Sequence, residues 1–430
     1  MVPSDNEDIV PRSPTEGTEA RLAGAPSAWF GAALLIGLLS GGYAYNLTLV
    51  QLGLPDFGTR VLGLSRAEVA WMMAGLAIVT ALTAVAVAVA MLRSGRTSCR
   101  DKLRIASVSA AGQVALTMGL GLVGDAAGLW AWMLVAGVLL GAGIPAAFGL
   151  VVDLVPVRWR GYVAAAATAI AYALAATLSG EWRAGSLAAL LLPPMGIGAA
   201  ILLVFAFWRM PFADVLGSHQ RDARYAVGRY SGSSGRLVPA LVVLFAIFFI
   251  DSFGFLRLVE TPAYLNAAWQ SGDAADRALI AGAHVLGALV AGVLYTHLGH
   301  RSLLGWIFGI FALVHLMYLF DVRLMGGGSQ ALAMPALYAL GVSLYTVVSF
   351  AIWADLSTAR NVVLLSAIGV AASAWTATFL STALAISWNQ TRPIEEHLEW
   401  VAALALVGLL IVAVVQVYGR RQPEPRVGAS

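Results

Sequence analysis

The sequence predicts an all-α polytopic membrane protein, with twelve transmembrane helices in two pseudo-symmetric six-helix bundles. Three observations carry that prediction. Of 430 residues, 60% are hydrophobic and only 11% charged, whereas a soluble domain carries about a quarter charged residues. The apolar runs are of spanning length, since a hydrocarbon layer of about 30 Å takes roughly 20 helical residues, and they do not alternate as barrel strands would. Lysine and arginine also gather in alternate connections, the signature of orientation in a bilayer.

Taken in order, each span is bounded by its connections. Segment 28–52 follows a tail rich in acid, Pro and Ser, which lacks the basic region and cleavage site of a signal peptide. An outer connection with Arg60 and Arg66 leads to 67–91, and the basic stretch 92–104 to 104–123. Segment 129–152 ends at "DLVPVRWRG", Asp153 to Gly161, which opens 161–180. Arg183 precedes 186–208. The longest internal polar stretch, 209–236, reads as a flexible cytoplasmic linker. Segments 237–258, 277–298, 302–320, 331–353, 361–386 and 399–418 follow, with Arg257, Arg277, Arg323 and Arg392 on the outer side. Those seven outer arginines leave 19 of the 26 basic residues inside, so both termini are expected in the cytoplasm. The expected domains are a disordered tail 1–27, bundles 28–208 and 237–418, linker 209–236 and tail 419–430.

A repeat supports the two-bundle division. Asp153-Leu154 is followed by Arg158, and Asp355-Leu356 by Arg360, at an offset of 202 residues. The connection after the second span holds Arg93, Gly95 and Arg96; the one after the eighth holds Gly299 and Arg301, preceded by Gly292 and Leu294. Two unrelated connections displaced alike argue for duplicated halves with a site between them.

On these residues the chain resembles the major facilitator superfamily, whose motif G-x-L-x-D-R-x-G-R-R occupies the second and eighth connections. "VPVRWRG", ending in Arg160-Gly161, is similar to the family's segment entering helix five. The motif aspartate is replaced by Leu92 and Thr296, and neither the antiporter pattern of helix five nor the sugar-porter motif after helix six is present. The resemblance implies a secondary transporter of a small solute by alternating access, with proton coupling as one option. It assigns Arg93, Gly95, Arg96, Asp153, Arg158, Arg160, Gly161, Gly292, Gly299, Arg301, Asp355 and Arg360 to a cytoplasmic gate.

Ionisable residues inside spans are costly and mark functional sites. Asp251 lies roughly 21 Å along its helix from Leu237, about 9 Å below the outer face. His284 reaches roughly 10 Å below the same face, so the two are candidates to pair, bind a proton or take a cationic group. His315, at similar depth in the ninth segment, is expected to pack. Arg257 and Glu260, on one helical face, form the expected outer-face pair. The resemblance places segments one, four, seven and ten around the cavity, which adds Asn46 and Tyr345 as solute candidates; Tyr43 and Tyr45 serve equally as interface anchors.

No phosphate-binding loop, nucleophile–base constellation or metal-ligand spacing occurs. No enzyme, cofactor, metal or nucleic acid is therefore expected. Met72, Met73, Met118 and Met133 are too scattered for a soft-metal path. The lone Cys99 falls in the basic connection, and arginine outnumbers lysine 25 to 1. Expected partners are a small solute, a proton and the lipid bilayer, for a monomer in the bacterial inner (plasma) membrane. The rival expectation is a non-transporting assembly factor or scaffold of the same fold.

Overall fold

The structure, a computed structural model, describes residues 26–177, 182–208, 211–231 and 236–419. The tails expected at 1–27 and 419–430 fall almost wholly outside these residues. Among the described residues eleven helices are long and apolar enough to cross a membrane: α1 Trp29–Val61, α2 Arg66–Arg93, α3 Cys99–Leu122, α4 Ala126–Leu154, α6 Ala184–Phe207, α7 Leu237–Val259, α8 Ala274–Leu298, α9 His300–Met325, α10 Ala333–Asp355, α11 Val362–Thr391 and α12 Ile394–Val415. The remaining expected span is α5, Arg160–Thr177. It is 18 residues long and carries Arg160, two tyrosines and two threonines. No strand occurs among the described residues.

Local chemistry sets where the helices begin. Ser65 accepts from the amide of Glu68 while the Glu68 carboxylate accepts from that of Ser65, closing a capping box on α2. Ser98 and Asp125 cap α3 and α4 in the same sense. Turns at matching places in the two halves use Gly95 at φ +67° and Gly299 at φ +76°, backbone values that residues with a Cβ rarely adopt. Cys99, expected in a loop, is instead the first residue of α3 and is buried.

The halves meet through two equivalent seams, α5 against α8 and α2 against α11. Exchanging the halves turns α2 into α8 and α5 into α11, so each seam is the image of the other. In the first seam Gly161 and Gly292 are mutual neighbours. A Cβ on Gly292 would stand 2.6 Å from the Ala165 Cβ and 3.0 Å from the Gly161 carbonyl oxygen. Close approach of this kind is what small residues supply between membrane helices. The large apolar side chains left exposed, among them Trp71, Leu82, Leu286 and Leu410, lie on spanning helices and face the acyl phase.

Two irregularities position the midline. α1 passes through π-helical stretches at Asn46–Gly53 and Phe57–Val61, and α11 through one at Ala367–Trp375. Such stretches turn side chains out of the α-helical register and recur at functional sites. The linker differs from its expected flexibility: residues 211–231 hold a helix at Pro211–Ser218 and short turns at His219–Arg221 and Ala223–Ala226. Its backbone is tied to the α10–α11 connection by Gly228 N to Ser357 O (2.9 Å), Tyr230 N to Asp355 O (2.8 Å) and Ala359 N to Ala226 O (2.8 Å).

Candidate functional site between the halves

Asp251 of α7 is 8% exposed, and it lies where α1, α7, α10 and α11 converge. Its carboxylate accepts from the Tyr338 hydroxyl at 2.6 Å and the Tyr345 hydroxyl at 2.5 Å. Both tyrosines come from α10, seven residues apart and so on one helical face. No basic side chain pairs with Asp251 among the described residues. A buried carboxylate held by neutral donors alone keeps open its exchange of a proton or a cation, because no fixed charge settles its state.

The expected Asp251–His284 pair does not form. His284 Nδ1 lies 3.0 Å from Ser343 Oγ of α10, and its ring stacks on Tyr172 of α5 with centroids 4.3 Å apart. The two line one cavity, but side chains of α10 take both. That cavity, of about 40 Å³, is also lined by Leu52, Trp182 and Phe255. Tyr172 carries the network onward: its hydroxyl is 2.6 Å from that of Tyr43, and Thr346 Oγ1 lies within 3.2 Å of Tyr172. Hydroxyls from both halves thus meet in one buried chain.

On its other side Asp251 lines a second cavity of about 30 Å³ with Asn46, Tyr345, Gln51 and Trp375. Asn46 and Tyr345, named from the sequence, are therefore brought to Asp251. Asn46 Nδ2 donates to Gly42 O at 2.8 Å, while its buried Oδ1 has no partner among the described residues. His315 is fully buried on α9, with Nδ1 2.7 Å from Phe311 O, outside both cavities. Tyr338, Tyr172 and Gln51 were not named from the sequence. The seven-residue spacing of Tyr338 and Tyr345 was the one legible signal.

The face bearing the linker is sealed. Asp355 at the end of α10 accepts from Arg160 Nη1 of the other half at 2.9 Å and from the Tyr295 hydroxyl at 2.9 Å. Arg160 also donates to Ala354 O (2.9 Å) and to Tyr225 O of the linker (2.5 Å). Both side chains of this ion pair are 0% exposed. The repeat partner Asp153 is buried too, but within its own half: Lys102 Nζ lies 2.5 Å from one oxygen, and Gln220 of the linker donates to the other at 2.5 Å. Duplicated aspartates thus serve different ends, one joining the halves and one anchoring the linker. Gly161 and Gly292 lie in the adjoining seam. Arg93, Arg96, Arg158, Arg301 and Arg360 stand exposed around these clusters rather than inside them.

The opposite face holds a cleft of about 610 Å³ between the halves, lined by Arg66, Asp56, Arg183, Glu260 and Gln270 among others. The expected Arg257–Glu260 pair is replaced. Glu260 pairs across the halves with Arg66 at 3.0 Å and accepts from Asn389, whereas Arg257 donates to the carbonyls of Asn389 and Arg392. Burial pushes the Glu260 carboxyl above its ordinary range, with Arg66 acting in the other direction. Leu52 and Trp182 line both this cleft and the cavity beside Asp251, so two side chains separate them.

Twelve long helices, eleven of them long and apolar enough to cross a membrane among the described residues, two halves meeting in matching seams and a buried polar midline match the fold of the major facilitator superfamily. Solved structures bear this out. The proton:xylose symporter XylE bound to 6-bromo-6-deoxy-D-glucose is 14% identical and superposes with a TM-score of 0.60 over 90% of this chain and 95% of that one. The human organic anion transporter MFSD10 (TETRAN), 14% identical, gives 0.62 over 90% and 99%. XylE from E. coli in a partially occluded inward-open conformation, 14% identical, gives 0.59 over 94% and 99%. No family model matches the sequence, and no curated protein sequence matches it either. Among the described residues no group of three or more His, Cys, Asp or Glu could hold a metal ion.

Proposed function

We propose that the protein is a secondary active transporter that moves a small solute by alternating access, with Asp251 as the site that takes a proton or a cationic group. One observation carries this reading: a carboxylate buried at the junction of the halves, satisfied by two tyrosine hydroxyls and no cation, one layer of side chains below an open cleft. Burial without a counter-charge is costly in a membrane and is kept where the charge is used. On this reading the linker face is cytoplasmic and closed by Arg160–Asp355, and the cleft faces outward. Opening would break a pair that joins the halves while each bundle keeps its own packing. The solved neighbours carry xylose or organic anions by name. The site here offers hydroxyls, an amide and one acid, which suits a neutral polar or cationic solute better than an anion.

The test is uptake by reconstituted vesicles, screened across sugars, polyols and organic cations with and without an imposed proton gradient. Wild type should accumulate at least one solute under the gradient, and Asp251→Asn should abolish accumulation while leaving downhill exchange. Uphill uptake at the normal rate in Asp251→Asn would remove Asp251 from this role. A second reading, a non-transporting scaffold, draws on the filling of the midline: cavities of about 40 and 30 Å³ hold no solute. It predicts no gradient-dependent flux of any solute tested.

A further inference from the structure

A cavity of about 640 Å³ lies mainly within the first bundle, between α1 and the helices α3, α4 and α6, with Phe350 of α10 and Trp375 of α11 also in its lining. We infer that it is a binding site for an uncharged, single-chain amphiphile drawn from the bilayer, apolar chain along the groove and hydrogen-bond donor head at Asn46. The clause that it feeds the midline rests on the transport reading above; the binding itself does not.

Four features argue for this occupant. The groove opens to lipid, because its rim includes Leu174, Ile197 and Ile201, which are exposed on spanning helices. Its walls are open by design of sequence: Gly37, Gly41, Gly42 and Gly198 line it, and a Cβ on any of them would meet nothing within 4 Å. The volume is that of a small-molecule site, roughly 300–1,000 Å³ with mostly apolar walls and few polar groups. Its lining includes Asn46, 6% exposed, whose Oδ1 has no partner among the described residues. A buried acceptor left unpaired is costly, and a donor on the ligand would satisfy it.

The head is uncharged because no Lys, Arg, Asp, Glu or His lines the groove; a phosphate or carboxylate there would lack compensation. The site is also placed to communicate. Tyr43, Asn46 and Trp375 line both the groove and the small cavity that contains Asp251. Rotation of those side chains would connect the acyl phase with the midline.

The test is photolabelling in proteoliposomes with a diazirine-bearing fatty alcohol, mapped by mass spectrometry. Label should concentrate on α1 and α6 and be competed by dodecanol. Gly41→Phe or Gly198→Leu, at positions where a Cβ meets nothing within 4 Å, put bulk into the groove and should cut that label at least tenfold. Asn46→Leu should weaken dodecanol competition roughly five-fold, the worth of one net hydrogen bond. Methyl dodecyl ether, which has no donor, should compete with wild type just as weakly. Label spread over all lipid-facing helices, or unchanged by the filling variants, overturns the proposal. So does preferential labelling by a photoreactive phospholipid, or equal competition by alcohol and ether. None of these outcomes bears on Asp251, whose test is gradient-driven uptake.

Discussion

Removing Asp355 should loosen the linker face far more than loss of an exposed ion pair would. Asp355→Ala leaves the Arg160 guanidinium at a site that is 0% exposed, with only two backbone carbonyls for company. Breaking one side of a buried ion pair costs about 3–5 kcal/mol, or roughly two to three and a half decades in an opening equilibrium. Arg160 belongs to α5 and Asp355 to α10, so the cost falls on the contact between halves. The amides of Gly228 and Tyr230 report it directly, since they donate to Ser357 O and Asp355 O and can exchange only when the linker lifts. Hydrogen-exchange mass spectrometry of a peptide covering 225–231 should show protection reduced at least a hundredfold in Asp355→Ala. The double variant Arg160→Met with Asp355→Leu should recover much of it, because apolar replacement of a buried pair is close to neutral. Protection within about threefold of wild type in Asp355→Ala, in a folded protein, would refute the reasoning.

Four further outcomes follow from the same geometry. Lys102→Arg should lower stability by about 1–3 kcal/mol, read as the thermal midpoint of purified protein. The lysine stem is 0% exposed and already packs against Gly149; an unchanged midpoint would contradict this. Gly292→Ala should cost about as much, because its methyl would meet the Ala165 Cβ at 2.6 Å, and it should weaken the closed linker face in the exchange assay. Arg66→Ala should change stability by no more than about 1 kcal/mol, since its side chain is 39% exposed, in contrast to Arg160. Glu260, its carboxyl raised by burial, should favour the folded state most fully below the ordinary glutamate value and lose that contribution as pH rises through the raised one. Glu260→Gln should flatten that part of the stability–pH curve.

Much of this architecture was legible because membrane helices are written in runs of apolar residues whose ends need charge or caps. The all-helical, many-span fold followed from that. Rise per residue also put Asp251 and His284 at one level, and both line one cavity. What depth could not show is azimuth: the two face one cavity, yet Tyr338, Ser343 and Tyr345 of α10 intercept them. The π-helical stretches of α1 and α11 shift register without any residue pattern that announces it, which hid Gln51 and Trp375. Charge counting treated Lys102 as one more positive residue of the inner side. Its being the single lysine beside 25 arginines was the available signal, and its compact ammonium explains it: the site between Asp153 and Gly149 O holds a point charge and not a planar fork. The Arg257–Glu260 expectation failed because spacing on one helix says nothing of a stronger partner, Arg66, on the other half.

The central claim is that two rigid halves tilt about Asp251. Spin labels at Arg158→Cys and Arg360→Cys, one exposed position from each half on the linker face, measure that tilt by pulsed dipolar spectroscopy, with buried Cys99 replaced by Ser. The account predicts two distance populations, the longer one an open linker face, with their ratio changed by Asp251→Asn. One narrow distance, the same in both proteins and across pH, would contradict it.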